Sequence, residues 1–224
     1  RRHTRLVRDW SSDVCSSDLL VTNDISIDIT MFYNEKSDYL QIRNVAARPT
    51  GYALYVNGDY ATNKGLNFSL NTRRIANTRV SANYTLSWAG GTGSNANTGY
   101  RISWLGGNDP TFTSPMTFDQ RHTGSLSIDY RTGARSMLPL FGVNILMRFG
   151  SGLRYTPSKP RTAVFGGQLS DQPVAGLNSG VMPGTFNIDL RIDKTFVISG
   201  VHLGLFCIVK NALNTQNVSA VYNY

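Results

Sequence analysis

A period of two runs through most of this 224-residue chain and limits what it can fold into. In Ile25–Tyr33, Ile25, Ile27, Ile29, Met31 and Tyr33 alternate with Ser26, Asp28, Thr30 and Phe32. Leu66–Arg73 sets Leu66, Phe68 and Leu70 against Asn67, Ser69, Asn71 and Arg73, and Val80–Trp88 sets Val80, Ala82, Tyr84, Leu86 and Trp88 against Ser81, Asn83, Thr85 and Ser87. Gly124–Arg131 opposes Leu126, Ile128 and Tyr130 to Ser125, Ser127, Asp129 and Arg131. Phe141–Phe149 and Phe186–Asp193 repeat the pattern, with Asn144, Arg148, Asp189, Arg191 and Asp193 on the polar side. Val201–Val209 is apolar on one face and mixed on the other. No residue on these apolar faces is charged, in a chain that is 16% charged. Successive side chains of a strand point to opposite faces, so each stretch is a strand with one apolar face. No segment shows a helical period, and the class is all-β.

Alternation alone does not separate a lipid-facing surface from the core face of a sandwich. The connections do more. Arg74–Arg79, Thr132–Leu140 and Val197–Gly200 are short links, whereas Asn34–Gly65, Ala89–Thr123 and Gly150–Thr185 are long. Short and long links therefore alternate, and the long ones are expected to include extensions of the strands. Compact soluble domains rarely carry repeated long loops. Outer-membrane barrels combine short periplasmic turns with long extracellular loops. The pattern predicts an antiparallel transmembrane β-barrel architecture with about seven to nine strands in this chain. Tyr33, Trp88, Tyr130, Phe149 and Phe196 fall at or near strand ends, where aromatic rings form interfacial girdles. No apolar run is long enough for a membrane-spanning helix.

The first nineteen residues, RRHTRLVRDWSSDVCSSDL, fit none of this. They have no strand or helix period and no apolar run of signal-peptide length. DWSSDVCSSDL resembles one translated frame of a common sequencing adapter, and RRHTR fits the primer segment upstream of it. Residues 1–19 are therefore expected to be a non-native leader, and 20–224 a partial outer-membrane barrel domain. Removing four arginines and three aspartates takes the net charge from +8 to +7. Lys and Arg are dispersed and form no basic cluster, which argues against a nucleic-acid partner.

Catalytic and cofactor chemistry finds little support. Outside the leader Cys207 stands alone, so neither a disulfide framework nor a cysteine metal site is expected. His122 and His202 are too few for a histidine metal centre. Asp119, His122 and Ser125 lie close in sequence, but on a strand they alternate faces and cannot converge as a triad. The pairs Gly90–Gly91, Gly106–Gly107 and Gly166–Gly167 lack the Lys-Ser/Thr of a phosphate-binding loop and suit loop tips. Asn63-Lys64-Gly65 suits a local bend in a long strand. No enzyme activity and no cofactor are expected. If the apolar face meets lipid, Asp28, Arg73, Asp129, Arg131, Arg148, Asp189, Arg191 and Asp193 face the lumen.

Three stretches carry a family likeness: NGDYATNKGLNFSLNTR at Asn57–Arg73, FDQRHTGSLSIDYRTG at Phe118–Gly133, and FNIDLRIDKTF followed by VHLGLFCIVKNALNTQNVSAVYNY. In order and spacing they resemble the barrel repeats of TonB-dependent receptors. The likeness runs over most of Ile25–Tyr224 and rests on no single diagnostic motif. It implies energy-coupled import of a bulky nutrient ligand across the bacterial outer membrane. The implied partners are outer-membrane lipid, the TonB complex acting through an N-terminal plug, and an unknown nutrient ligand. In such a receptor the lumen charges would contact the plug or line the substrate path. Tyr100, Trp104, Phe112, Arg154 and Tyr155 are the loop residues expected to meet ligand. No plug or TonB box precedes residue 25, and no strand ending in a terminal aromatic follows, so an internal fragment of a longer receptor is expected. Rival readings are a passive porin or a structural or adhesive barrel, an outer-membrane enzyme, and a soluble β-sandwich binding module.

Overall fold

The computed structural model describes residues 10–45, 47–94, 112–133, 135–159 and 172–221. Thirteen strands occur among them: β1 (Trp10–Thr22), β2 (Ile25–Val45), β3 (Tyr52–Thr72), β4 (Thr78–Gly91), β5 (Ser114–Pro115), β6 (His122–Arg131), β7 (Phe141–Gly150), β8 (Arg154–Tyr155), β9 (Ser158–Lys159), β10 (Gln172–Pro173), β11 (Gly180–Val181), β12 (Thr185–Ile198) and β13 (Val201–Val209). One antiparallel sheet runs β1-β2-β3-β4-β6-β7-β12-β13, with β5 paired to the end of β4. The β8–β11 and β9–β10 pairs are two-residue ribbons in the β7–β12 connection. All seven expected strands lie in this sheet. It is open, as expected for part of a barrel wall.

Register carries the alternation across the sheet. Ile27 pairs with Leu70, Leu70 with Ala82, Ala82 with Leu126, Leu126 with Met147, and Met147 with Ile188. The row beside it runs Asp28, Ser69, Asn83, Ser125, Arg148, Asn187. A slip of one residue between the crossing strands β2 to β12 would bring polar or charged side chains onto the apolar face, so the pattern itself specifies the pairing. Tight turns help to hold it. Ser199 and Gly200, at φ 50° and 82°, form the two-residue link between β12 and β13. Ala76 and Asn77, at 47° and 70°, do the same inside the Ile75–Thr78 bridge. Two left-handed residues match the twist of the flanking strands.

Much of the long Asn34–Gly65 link is strand. β2 and β3 are 21 residues each and continue well beyond their apolar stretches. The register slips between Lys36 and Leu40, whereas Asn63, Lys64 and Gly65 continue the ladder without a break. The expected bend thus lies in β2, at a bulge, and not at the glycine of β3.

β1 covers the second half of the aperiodic residues 1–19. The open edge of β2 presents backbone donors and acceptors that any extended segment can satisfy. Its side chains match poorly. The register sets Asp13 opposite Tyr33 on the apolar side and Asp18 opposite Asp28 on the polar side.

Few side chains are buried. Among the described residues the buried apolar ones are Ala89 and Met116, both at the long-loop end. Ile29, Met31, Phe68, Phe149, Phe186 and Ile192 remain exposed along one face of the sheet.

Candidate functional site

The polar face gathers its charges on β6, β7 and β12. Asp129 opposes Asn144, which opposes Arg191, and Arg131 opposes Gly142, which opposes Asp193. Arg131 Nε lies 3.3 Å from Asp129 Oδ1, and its Nη2 lies 3.8 Å from Asp193 Oδ1. Arg191 Nε is 3.7 Å from the same Asp193 oxygen, and Arg74 donates to Asp129 from the β3–β4 turn. Arg74, Asp129, Arg131, Asp193 and Arg191 thus form a ladder of alternating sign near the short-turn end. Arg148 and Asp189 form a separate pair toward the long-loop end. Gly142 permits this arrangement, because a Cβ there would sit 2.7 Å from the Asp193 carboxylate. Register places seven of the charges expected in the lumen on one face, with Asp28 on β2, three strands from β6, and Arg73, just beyond β3, continues the parity of Asn71. Arg74 joins the ladder from a turn, where period-two reasoning does not reach.

The opposite face carries two aromatic belts. Near the long-loop end, Tyr33, Trp88, Tyr84, Phe149 and Phe186 share the apolar parity, and Tyr84 stacks 6.4 Å from Phe149 and 6.2 Å from His122. His122 Nδ1 and the Tyr84 hydroxyl are 2.7 Å apart. At the short-turn end stand Tyr130, Phe141 and Phe196. Phe141 and Phe149 are separated by eight residues of β7, about 27 Å of strand, which is of the order of the ~25 Å apolar band of membrane barrels.

The long-loop end holds a cluster that the sequence reading did not find. Asp119 is the largest fully buried side chain among the described residues. Its Oδ1 accepts the Ala89 amide at 2.8 Å, and Oδ2 accepts from Arg121 Nε at 2.9 Å and Arg154 Nε at 3.1 Å. One carboxylate therefore joins β4, the entry to β6 and the β7–β12 connection. Asn178 extends the lock by donating through Nδ2 to the Pro115 carbonyl at 2.8 Å. His122 opens β6, as a strand-entrance residue should, and its amide donates to Ser151 Oγ at 3.0 Å. Asp119, His122 and Ser125 do not assemble as a triad, because His122 belongs to the outer belt while Asp119 is enclosed by guanidinium groups. Asp119 and Arg121 share a parity, a signal present in the sequence. The distant partner Arg154 was legible only as a loop cation.

Of the loop residues expected to meet ligand, Phe112 is 60% exposed, and Tyr155 packs on Gly180, where a Cβ would lie 2.7 Å from its ring. Arg154 keeps 17% of its side-chain surface beside Asp119. Tyr100 and Trp104 lie outside the described residues. Above the crossing strands, Tyr60 has its phenol pushed above the ordinary tyrosine value, first by burial and then by a hydrogen bond with Glu35. No group of three or more His, Cys, Asp or Glu suited to a metal ion occurs among the described residues.

Residues 18–211 match the family described as TonB dependent receptor-like, beta-barrel. The solved outer membrane transporter YddB from Escherichia coli shares the fold, with a TM-score of 0.59 at 12% identity over 91% of this chain. The chain spans 28% of the length of that transporter. A search of curated proteins returns no significant match. Among the described residues the one large sheet keeps its apolar face uncovered, which agrees with an outer-membrane barrel wall and not with a β-sandwich, whose second sheet would cover that face. On the family match over most of its length, the chain belongs to the TonB-dependent receptor-like β-barrels.

Proposed function

We propose that this chain is wall from an energy-coupled importer of the bacterial outer membrane, with its apolar face in lipid and its charged face toward the lumen. The observation that carries this is the contrast between faces. One is apolar, carries no charge between its aromatic belts and holds Lys64 and Lys194 at the level of those belts, while the other carries the Arg–Asp ladder. Backbone groups in lipid must be satisfied internally, which favours a sheet that continues into a closed barrel. In the whole receptor an N-terminal plug would fill the lumen and transmit TonB-derived energy. Asp28, Arg73, Asp129, Arg131, Arg148, Asp189, Arg191 and Asp193 would face that plug or the passage beside it. Phe112 and Tyr155, with Tyr100 and Trp104, would meet the nutrient, while Arg154 holds the wall in shape.

The leader 1–19 is read as non-native, with the barrel domain beginning at residue 20. Two features of β1 support this. Asp13 stands on the lipid side, and Asp18 directly opposes Asp28, a like-charge pairing that destabilises a sheet.

Cysteine labelling in intact outer membranes tests the face assignment. Cysteines placed at Ser127 and Ile128, in a background without native thiols, should differ. A membrane-impermeant maleimide entering from the lumen should label position 127 and leave 128 unmodified. Equal labelling would remove the assignment. Import itself is tested by nutrient uptake in cells with and without the gene. Uptake that is gene-dependent yet persists after collapse of the proton gradient would indicate a passive pore.

A further inference from the structure

Arg79 stands on the charged face with no counter-ion left for it. It opposes Asp129 in register. Both oxygens of that carboxylate are already engaged, Oδ2 by Arg74 and Oδ1 by Arg131. Arg79 is exposed and makes no ion pair among the described residues. Arg73 adds a second cation beside it, since the two lie two residues beyond the Asn71–Ser81 pair on β3 and β4. Asp24, whose carbonyl accepts the Arg73 amide at 2.7 Å, offsets Arg73 but not Arg79.

The remaining acids at this end are sunk. Asp129 and Asp193 keep 19% and 21% of their side-chain surface, whereas Arg74 keeps 40% and Arg131 and Arg191 keep 49% each. The guanidinium groups therefore form the outer layer, and from the β3–β4 turn to β12 the surface is positive. The row ends on apolar side chains. On β13, Phe206 opposes Asp193 and Ile208 opposes Arg191, which puts both on the charged face. They are 67% and 48% exposed, and Arg191 Cζ lies 5.3 Å from the Phe206 ring centroid. A wall facing only water gains nothing from such side chains, whereas a polypeptide contact uses them.

The cations are also spread along a line. A small anion needs donors that converge on one point. β4 to β13 spans four strand spacings, about 19 Å, a length covered by roughly six residues of extended chain. We infer that this patch docks an extended acidic segment of the polypeptide that fills the lumen, with a carboxylate on Arg79 and an apolar side chain against Phe206. Charge-assisted bonds are stronger than neutral ones, and the guanidinium fork matches a carboxylate. The inference rests on the interior assignment made above and adds the chemistry of what fills this mouth.

The test uses the whole receptor in outer membranes, with photoreactive benzoylphenylalanine in place of Asn144, which lies on the same face between Asp129 and Arg191. Illumination and peptide mass spectrometry should join position 144 to a stretch of the same polypeptide, about six residues long and net negative. Arg79→Gln should lower the cross-link yield about threefold, and Arg79→Lys should keep most of it. Each variant is accepted as folded by its heat-modifiable gel mobility. A cross-link to a neutral or basic stretch or to another protein, no cross-link, or an unchanged yield in Arg79→Gln overturns the docking site alone. Cross-linking to lipid overturns the interior assignment beneath it.

Discussion

In the segment that packs on the long-loop end of the sheet Met116 is 3% exposed and Asp119 1% exposed, yet on the apolar face of β12 Ile192 is 38% and Phe186 39% exposed. The first region is held by enclosure, through one carboxylate with three partners and a methionine against the sheet. The second has backbone ladders and uncovered apolar side chains. Soluble domains show the opposite distribution, with apolar burial at the centre of the strands. The inversion means that the sheet's centre has its apolar solvent outside, in lipid, whereas the loop end must build its own core in water.

Several substitutions can break or sharpen this contrast. The largest effect is expected at the enclosed end. Asp119→Ala leaves the Arg121 and Arg154 guanidinium groups without their shared partner and should cost about 3–5 kcal/mol, as for other broken buried pairs. Denaturant unfolding of the protein in detergent checks this, and a loss under 1 kcal/mol would show the lock to be ornamental. Next comes the lipid face. Leu190→Arg should destabilise by about 2–4 kcal/mol if that position lies near the bilayer midplane. Its neighbour on the other face, Arg191→Leu, should change stability by less than about 1 kcal/mol, because its pair with Asp193 is half exposed and screened. Similar losses from the two would erase the distinction between faces.

A smaller effect is expected where the outer belt crosses a glycine. Gly124 lies between Tyr84 and Phe149, and a Cβ there would approach Phe149 ring carbons at 2.5 Å and the Asn83 carbonyl at 3.0 Å. Gly124→Ala should therefore cost about 1–3 kcal/mol as the ring is displaced, with reduced heat resistance of the folded gel band. The smallest change belongs to the ladder. Asp129→Asn weakens contacts to Arg74 and Arg131, which are 40% and 49% exposed, and should cost under about 1 kcal/mol. A larger loss would mean that these charges are sequestered from water in the assembled receptor.

The strands were legible because alternation is local. Residues such as Ile128 and Asp129 declare opposite faces from their immediate neighbours alone. The reach of β2 and β3 beyond the membrane was less legible. There the alternation degrades, as at Lys36–Leu40, and backbone pairing continues without a clean polar and apolar division. The first strand shows the reverse case, since Trp10–Thr22 pairs with β2 although residues 10–19 carry no side-chain period. Backbone hydrogen bonding is indifferent to side-chain pattern, so composition could not announce it.

By itself the sequence determined the class, the two faces, the register logic and the likeness to TonB-dependent barrels, because each depends on the order of polar and apolar residues along single strands. Tertiary structure alone decided that Arg154 meets Asp119 and that Arg74 caps the ladder. Those partners come from loops and turns, where side-chain direction follows from how the chain returns to the sheet and not from any period.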